Sequence, residues 1–293
     1  MRQIFQICSG IILFLALSPC EMRAGSSKSL TISDNDWQPF FFAGKNPEAP
    51  GIGREILELC LPGGASPTFV YYPIKRMFLK IKDGSLDLLV MSYKKEREDF
   101  AVYGREKLFS AVYKPFVRKK SDITVKSLTD LDAHRIGGLR GLSYSPEYLK
   151  YLQKRFPLSF ESEKSDDLKD RIKRQKDRHD EFWMVGQNET LIQGLVDRKI
   201  DLFVNTWLNV QFLAKKMVLS GKIKALDYVV KSGDYFAVIG KKSGWFEPDP
   251  EHKKKMAFLK ELDQCLINIK KNERKKLKAI YQKYGSDLSS EDY

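Results

Sequence analysis

Strand-like and helix-like patterns alternate along most of the chain. Leu30-Thr31-Ile32-Ser33 reads as a strand, and Gly51 to Leu61 as an apolar-periodic helix that Pro62-Gly63-Gly64 stops. Thr68 to Tyr72 is β-branched and aromatic, hence a strand. Ile74, Met77, Phe78 and Ile81 fall at helical spacing, with Asp83-Gly84 as the stop. Asp87 to Met91 is a continuous apolar run, the pattern of a strand buried on both faces. After a short turn that Ser127 caps, the order repeats. Strands are predicted at 135–139, 182–185, 201–205, 224–230 and 235–240. Helices are predicted at 144–155, 189–198, 207–219, 251–271 and 273–284. Alternation of this kind, met twice, predicts an α/β protein of two domains with mostly parallel sheets.

The stretch between the first strand and first helix breaks the pattern. Asn35 to Ala43 carries Trp37, Pro39 and the run Phe40-Phe41-Phe42 where water should reach them. We read Trp37 as the wall of a cleft, with the phenylalanines propping it from behind. The alternative is that these rings are ordinary core.

The amino terminus differs from everything that follows. Arg2, a mostly apolar run from Ile4 to Leu17 and small or polar residues up to Ala24 read as a secretory signal peptide over residues 1–24, too short to span a bilayer. An exported, periplasmic protein is therefore expected. Leu17-Ser18-Pro19-Cys20 is a poor lipoprotein box because proline precedes the cysteine, so anchoring at Cys20 is not expected. Cleavage after Ala24 removes two arginines and one glutamate, lowering the formal net charge from +13 to +12. Such a charge suits anionic partners, but export argues against nucleic acid, and runs such as Lys270 to Lys276 read as solvated helix faces. Cys60 and Cys265 remain after cleavage; they either pair in an oxidising compartment or lie as buried thiols. No histidine or second cysteine stands at ligand spacing, so neither metal nor cofactor is expected.

Several short motifs, in order, resemble family 3 of the bacterial extracellular solute-binding proteins, which contains the periplasmic polar amino-acid-binding proteins. Asp34-x-x-Trp37-x-Pro39-Phe40 resembles the family's opening, and Gly51-x-x-x-Glu55-Ile56 its first helix. Lys82-Asp83-Gly84-Ser85-Leu86-Asp87 and Glu96-Arg97 resemble the flanks of its third strand. Ser127-Leu128-x-x-Leu131, Ile136-Gly137-x-x-x-Gly141 and Leu195-x-x-x-Lys199-Ile200-Asp201 resemble parts of its second lobe. The resemblance implies a two-lobed clamp, each lobe a mostly parallel sheet flanked by helices. Lobe 1 would be 28–113 plus 231–293 and lobe 2 would be 114–230, with a two-segment hinge near 111–116 and 229–234.

Open α/β sheets bind ligands at the carboxyl ends of their strands. Trp37, Arg97, the Gly141–Ser143 turn and Thr206 all follow predicted strands. Taken alone, Arg97 reads as one charge in an exposed run from Lys94 to Asp99. The resemblance implies instead that its planar guanidinium grips a ligand carboxylate. Gly141-Leu142-Ser143 opens a helix, where backbone N–H groups and the Ser143 hydroxyl would receive an anion or simply cap the helix. Tyr144 would cover the ligand, and Ser92 and Tyr93 would donate hydrogen bonds. Amino-acid binders of this family carry an acid where Thr206 stands here, which leaves Asp34 as the implied partner for an ammonium. Lys75 and Arg76 make the first lobe's edge more positive, so an anionic solute suits the site at least as well as a zwitterion.

The expected function is a monomeric receptor for a small carboxylate-bearing solute, read by a membrane permease of the ABC-transporter kind or by a sensor. Two other classes compete with this expectation. An enzyme on the same clamp, such as a dehydratase of cyclic carboxylates, would need a positioned acid or base. His134, His179 and His252 fall outside the predicted cleft, leaving Glu189 as the nearest candidate. An envelope interaction protein would rest on the basic surface alone. The charged run 161–181 suggests a surface segment without chemistry.

Overall fold

A computed structural model describes residues 29–140, 142, 144–156, 159 and 182–286. The signal-peptide reading, Gly141, Ser143 and the charged run 161–181 lie outside the described residues.

Two sets of parallel strands are joined through two long strands in series, one beside each set. In the first set, β1 (Leu30–Ser33) lies between β4 (Pro67–Val70) and β5 (Leu88–Ser92), parallel to each. In the second set, β7 (Ile136–Leu139) lies parallel to β8 (Trp183–Val185) and β9 (Leu202–Thr206). The link is β6 (Ala101–Arg118), 18 residues long, which pairs antiparallel with β11 (Lys231–Gly240), β9 and β10 (Ile223–Ala225). β11 pairs in turn with β5. A small hairpin of β2 (Asp36–Trp37) and β3 (Phe41–Phe42) stands apart.

The period-two geometry of strands explains the continuous apolar runs. Leu88 and Val90 of β5 face one core with α1 (Ile52–Cys60), α6 (Lys253–Lys271) and α7 (Arg274–Lys283). Leu89 and Met91 face the other side, against Met77 and Ile81 of α2 (Ile74–Asp83). The second set repeats this. Leu202 and Val204 pack with Tyr148 and Leu152 of α3 (Pro146–Arg155). Phe203 packs with Leu191 and Leu195 of α4 (Asn188–Val196) and Val210 and Leu213 of α5 (Trp207–Lys216). Of the two alternatives for the cysteines, the disulfide is present: Cys60 of α1 is bonded to Cys265 of α6.

Phe40, Phe41 and Phe42 are buried in the first core, Phe40 stacked on Phe109 at 4.3 Å. Gly51 allows this loop to close on α1. Its φ is 122°, and a Cβ there would stand 2.3 Å from the Phe40 carbonyl oxygen.

Two features were not legible beforehand. The region 101–118 was expected only to contain a crossing segment, yet it forms the longest strand among the described residues. The strand expected from Tyr235 begins four residues earlier, at Lys231, while that expected at 224–230 is only Ile223–Ala225.

Candidate functional site

The middle of β6 is where the two strand sets meet. Tyr113 pairs with Lys231 of β11 on one side and with Thr206 of β9 on the other. Directly opposed residues share a face of the sheet, so Lys231, Tyr113 and Thr206 stand side by side on one face. Further along, Gly233 opposes Ala111, Tyr235 opposes Phe109, and Tyr235 also opposes Ser92 of β5. Alternation puts Lys231, Gly233 and Tyr235 on the same face, partly buried, while Ser232 and Asp234 point the other way and are exposed. The result is a strip from Ser92 across Tyr235, the small pair Gly233 and Ala111, and Tyr113 to Thr206.

Elements at either end close around this strip. Trp37 of the β2–β3 hairpin packs 4.8 Å from Tyr235 and 4.6 Å from Phe40. It touches the apolar clusters of both strand sets. The 3₁₀ turn Lys95–Arg97 brings Arg97 back over β5, where its Nη1 donates to the Ser92 carbonyl at 2.6 Å. The Ser92 hydroxyl lies 3.4 Å from the same nitrogen. The Arg97 guanidinium also sits 5.0 Å above the Phe78 ring. Both polar contacts use one nitrogen, so the fork is anchored on one prong.

The phenols link the two ends. Tyr113 and Tyr235 hydroxyls are 3.4 Å apart. Burial pushes both phenols above the usual tyrosine range, so they stay protonated and can donate at physiological pH. Tyr144 is also pushed up, by burial first, and the Tyr113 phenol adds to the effect. Its hydroxyl accepts from the Leu139 N–H at 3.0 Å.

The second-set edge is neutral. Thr206 is fully buried, and its Oγ1 has no hydrogen-bond partner among the described residues. The same holds for Asn209 Oδ1, one turn into α5, and Gln38 Oε1. Asn209 Nδ2 donates to the Gln38 carbonyl, and Phe212 meets Phe42 edge-on at 5.7 Å, so α5 contacts the β2–β3 hairpin across the gap. Orphaned buried oxygens are rare and call for a partner.

The structure thus brings Trp37, Ser92, Arg97, Tyr144 and Thr206 around the Tyr113–Tyr235 pair. It gives Asp34 and Tyr93 other partners. Asp34 is buried, with its carboxylate accepting from Ala43 N–H, Gly44 N–H and the Arg54 guanidinium, the last at 2.9 Å. In this arrangement the Asp34 carboxylate holds its own loop. Tyr93 is half exposed and donates to Glu98 at 2.9 Å, which turns it from the strip. Leu142 packs against the second core. Tyr113 and Lys231 went unnoticed because they lie in segments read only as crossings, and Tyr235 because it was read only as the start of a strand. The period-two spacing of Lys231, Gly233 and Tyr235 was the available signal.

Glu189 is exposed at the start of α4, and His134 and His252 lie away from the strip, His252 at the start of α6. Among the described residues no group of three His, Cys, Asp or Glu is placed to hold a metal ion, and no helix is long and apolar enough to cross a membrane. A cavity of about 230 Å³ lies elsewhere, between α5 and β10, and none of the expected residues lines it.

No protein-family model and no curated protein matches the chain. Solved structures do. A histidine kinase sensor domain with similarity to periplasmic binding proteins aligns with a TM-score of 0.60 and 15% identity, over 89% of this chain and 98% of that one. The ligand-binding core of GluR0 from Nostoc punctiforme, in complex with L-glutamate, gives 0.58 and 17% over 87% and 98%. An ancestral arginine-binding protein bound to arginine gives 0.58 and 17% over 88% and 98%. At these identities the likeness establishes the fold, which is the two-lobed α/β clamp of the periplasmic binding proteins.

Proposed function

We propose that the protein is a periplasmic receptor that closes on a small carboxylate-bearing solute gripped by Arg97. In this reading residues 28–113 and 231–293 form one lobe and 114–230 the other, with β6 and β11 as the hinge. The observation that carries it is convergence. Arg97, Trp37 and Ser92 on the first side meet Thr206 and Tyr144 on the second around Tyr113 and Tyr235, which lie on the two strands that link the sets. A ligand touching both edges binds one arrangement of the lobes better than the other, and so shifts the population toward it. The comparisons support this reading on both sides of the choice between delivery and signalling, since binding proteins and a kinase sensor domain share the fold. The solute-bound form would be read by a membrane permease or a sensor.

The test is a thermal-shift screen of amino acids, dicarboxylates and small phosphorylated compounds on the purified protein. A hundredfold excess over the dissociation constant should stabilise it by about 2.7 kcal/mol. Arg97→Ala should abolish the shift while the unliganded melting temperature holds. A ligand that binds equally well without Arg97 would refute the reading.

A further inference from the structure

We infer that the carboxamide oxygens of Gln38 and Asn209, on either side of the seam between the β2–β3 hairpin and α5, receive a nitrogen group of the solute that carries at least two N–H hydrogens. This rests on the clamp reading above and adds a second recognition point to it, on residues that neither the motifs nor the strand ends singled out.

Buried polar groups near this seam are otherwise well met. Asn205 is as buried as Asn209 and has both ends of its carboxamide bonded. Its Nδ2 donates to Asn188 Oδ1 at 2.7 Å, and its Oδ1 accepts from the Thr206 N–H at 2.7 Å. Asn209 is the exception. Its Nδ2 donates to the Gln38 carbonyl, which can only accept, so the carboxamide has one sensible orientation and its oxygen is the end left over. Asn209 is 2% exposed, and that oxygen is out of reach of water and without a partner among the described residues. Gln38 Oε1 is in the same state.

The seam adjoins the strip at both ends. Trp37, the neighbour of Gln38, packs 4.8 Å from Tyr235. Thr206 is the N-cap of α5, yet its hydroxyl does not make the capping bond that threonine usually makes there. It lies by the Tyr113 phenol, which burial pushes up while the Tyr235 and Thr206 hydroxyls pull the other way.

Apolar contacts shut the seam. Leu208 is buried in the first core, and Phe212 meets Phe42 edge-on at 5.7 Å. These contacts favour closing and exclude water, which leaves the two oxygens dry. An unmet buried acceptor is unfavourable, so a seam closed over a donor is better than a seam closed over nothing. Two acceptors need two hydrogens. A hydroxyl brings one, whereas a primary carboxamide or an ammonium brings two or more. The seam must part to admit such a group, and it then closes with both oxygens met.

The experiment is calorimetric titration of the wild-type protein, Asn209→Leu, Gln38→Met and Arg97→Ala. The probes are short carboxylates bearing a primary carboxamide, a terminal ammonium, an α-ammonium or a hydroxyl, each nitrogen compound paired with its N,N-dimethyl counterpart. The carboxamide and ammonium arms distinguish the source of the hydrogens. At least one nitrogen compound should bind about tenfold or more tightly than its dimethyl counterpart, because a site built to bond hydrogens rejects the analogue that lacks them. Asn209→Leu and Gln38→Met should each close most of that gap. Gln38→Met also removes an unmet oxygen at nearly constant shape, so the unliganded melting temperature should hold or rise. Equal binding within every pair, a hydroxyl compound matching the best nitrogen compound, a gap that survives both variants, or a lowered unliganded melting temperature in Gln38→Met would overturn the inference. In those cases continued dependence on Arg97 leaves the clamp reading standing. Binding indifferent to Arg97→Ala, or no binding across the panel, overturns both.

Discussion

The two edges that meet at the crossing strands offer different chemistry. The first brings charge and rings: Arg97, Trp37, Tyr235 and the stem of Lys231. The second brings neutral oxygens, Thr206 Oγ1 and Asn209 Oδ1, buried and without partners among the described residues. Charge acts at a distance and survives imperfect geometry, whereas a neutral hydrogen bond needs contact. Under the proposed function this difference sets an order of events: the charged edge would capture the solute, and the neutral edge would join when the lobes close. The lobes also differ in what holds them. A disulfide staples α1 to α6 in the first, while in the second Asp201 accepts from Arg135 and Arg118 beside β9.

Removing the charge should break the comparison most visibly. Arg97→Ala should lower solute affinity by about 2–5 kcal/mol, seen as loss of the calorimetric signal. A loss under tenfold would mean that the charged edge is not the captor. Next in size is the staple. Reduction, or alanine at both Cys60 and Cys265, should destabilise the protein by about 2–4 kcal/mol in denaturant unfolding. Protection of β1 and β5 amides in hydrogen exchange should fall more than that of β7 and β9. Uniform loss would show that the lobes unfold as one unit.

Acid should reveal the other lobe. Hydrogen bonds from Arg135, then those from Arg118, hold the Asp201 carboxyl well below the usual carboxylate range. A carboxyl depressed by folding adds stability above its unfolded value, about 3.9. That stability is lost as pH falls through the folded value. Asp201→Asn should therefore cost about 1–3 kcal/mol at neutral pH and little at pH near the folded value, flattening the acid limb of the stability curve. An unchanged limb would place the acid sensitivity elsewhere. The smallest effect sharpens the comparison further. Thr206→Val keeps the shape and removes an orphaned hydroxyl, so the unliganded protein should be as stable or more so. Solute affinity should drop by about 1 kcal/mol. Opposite signs in the two measurements would mark the hydroxyl as kept for the ligand, and an unchanged affinity would remove it from the grip.

Much of the fold was legible because short-range rules governed it. The apolar spacing in α2 and the left-handed Gly84 that ends it are local facts, and so is the two-faced run of β5. The strand β6 escaped because Gly104, the charges Arg105 to Lys107 and Pro115 interrupt any local strand pattern. Its order comes from partners far away in sequence, and Arg105 and Glu106 N–H groups even turn to Asp263 of α6. The site shows the same division. Trp37, Ser92 and Thr206 were candidates because they stand at the ends of predicted strands, and Arg97 because the resemblance implies it. Tyr113 and Tyr235 were missed because their meaning depends on their hydroxyls meeting across 122 positions of sequence.

The sequence by itself determined the helices and the short parallel strands, and that the two alternating sets make an α/β protein, because burial at period two or 3.6 is written residue by residue. Only the tertiary structure decided that Asp34 serves its own loop, that the cysteines pair, and that a lysine, two tyrosines and a threonine share one face with Arg97. Those outcomes depend on cross-strand register and on which hydrogen-bond partners the fold brings near, and both are long-range properties of the folded chain.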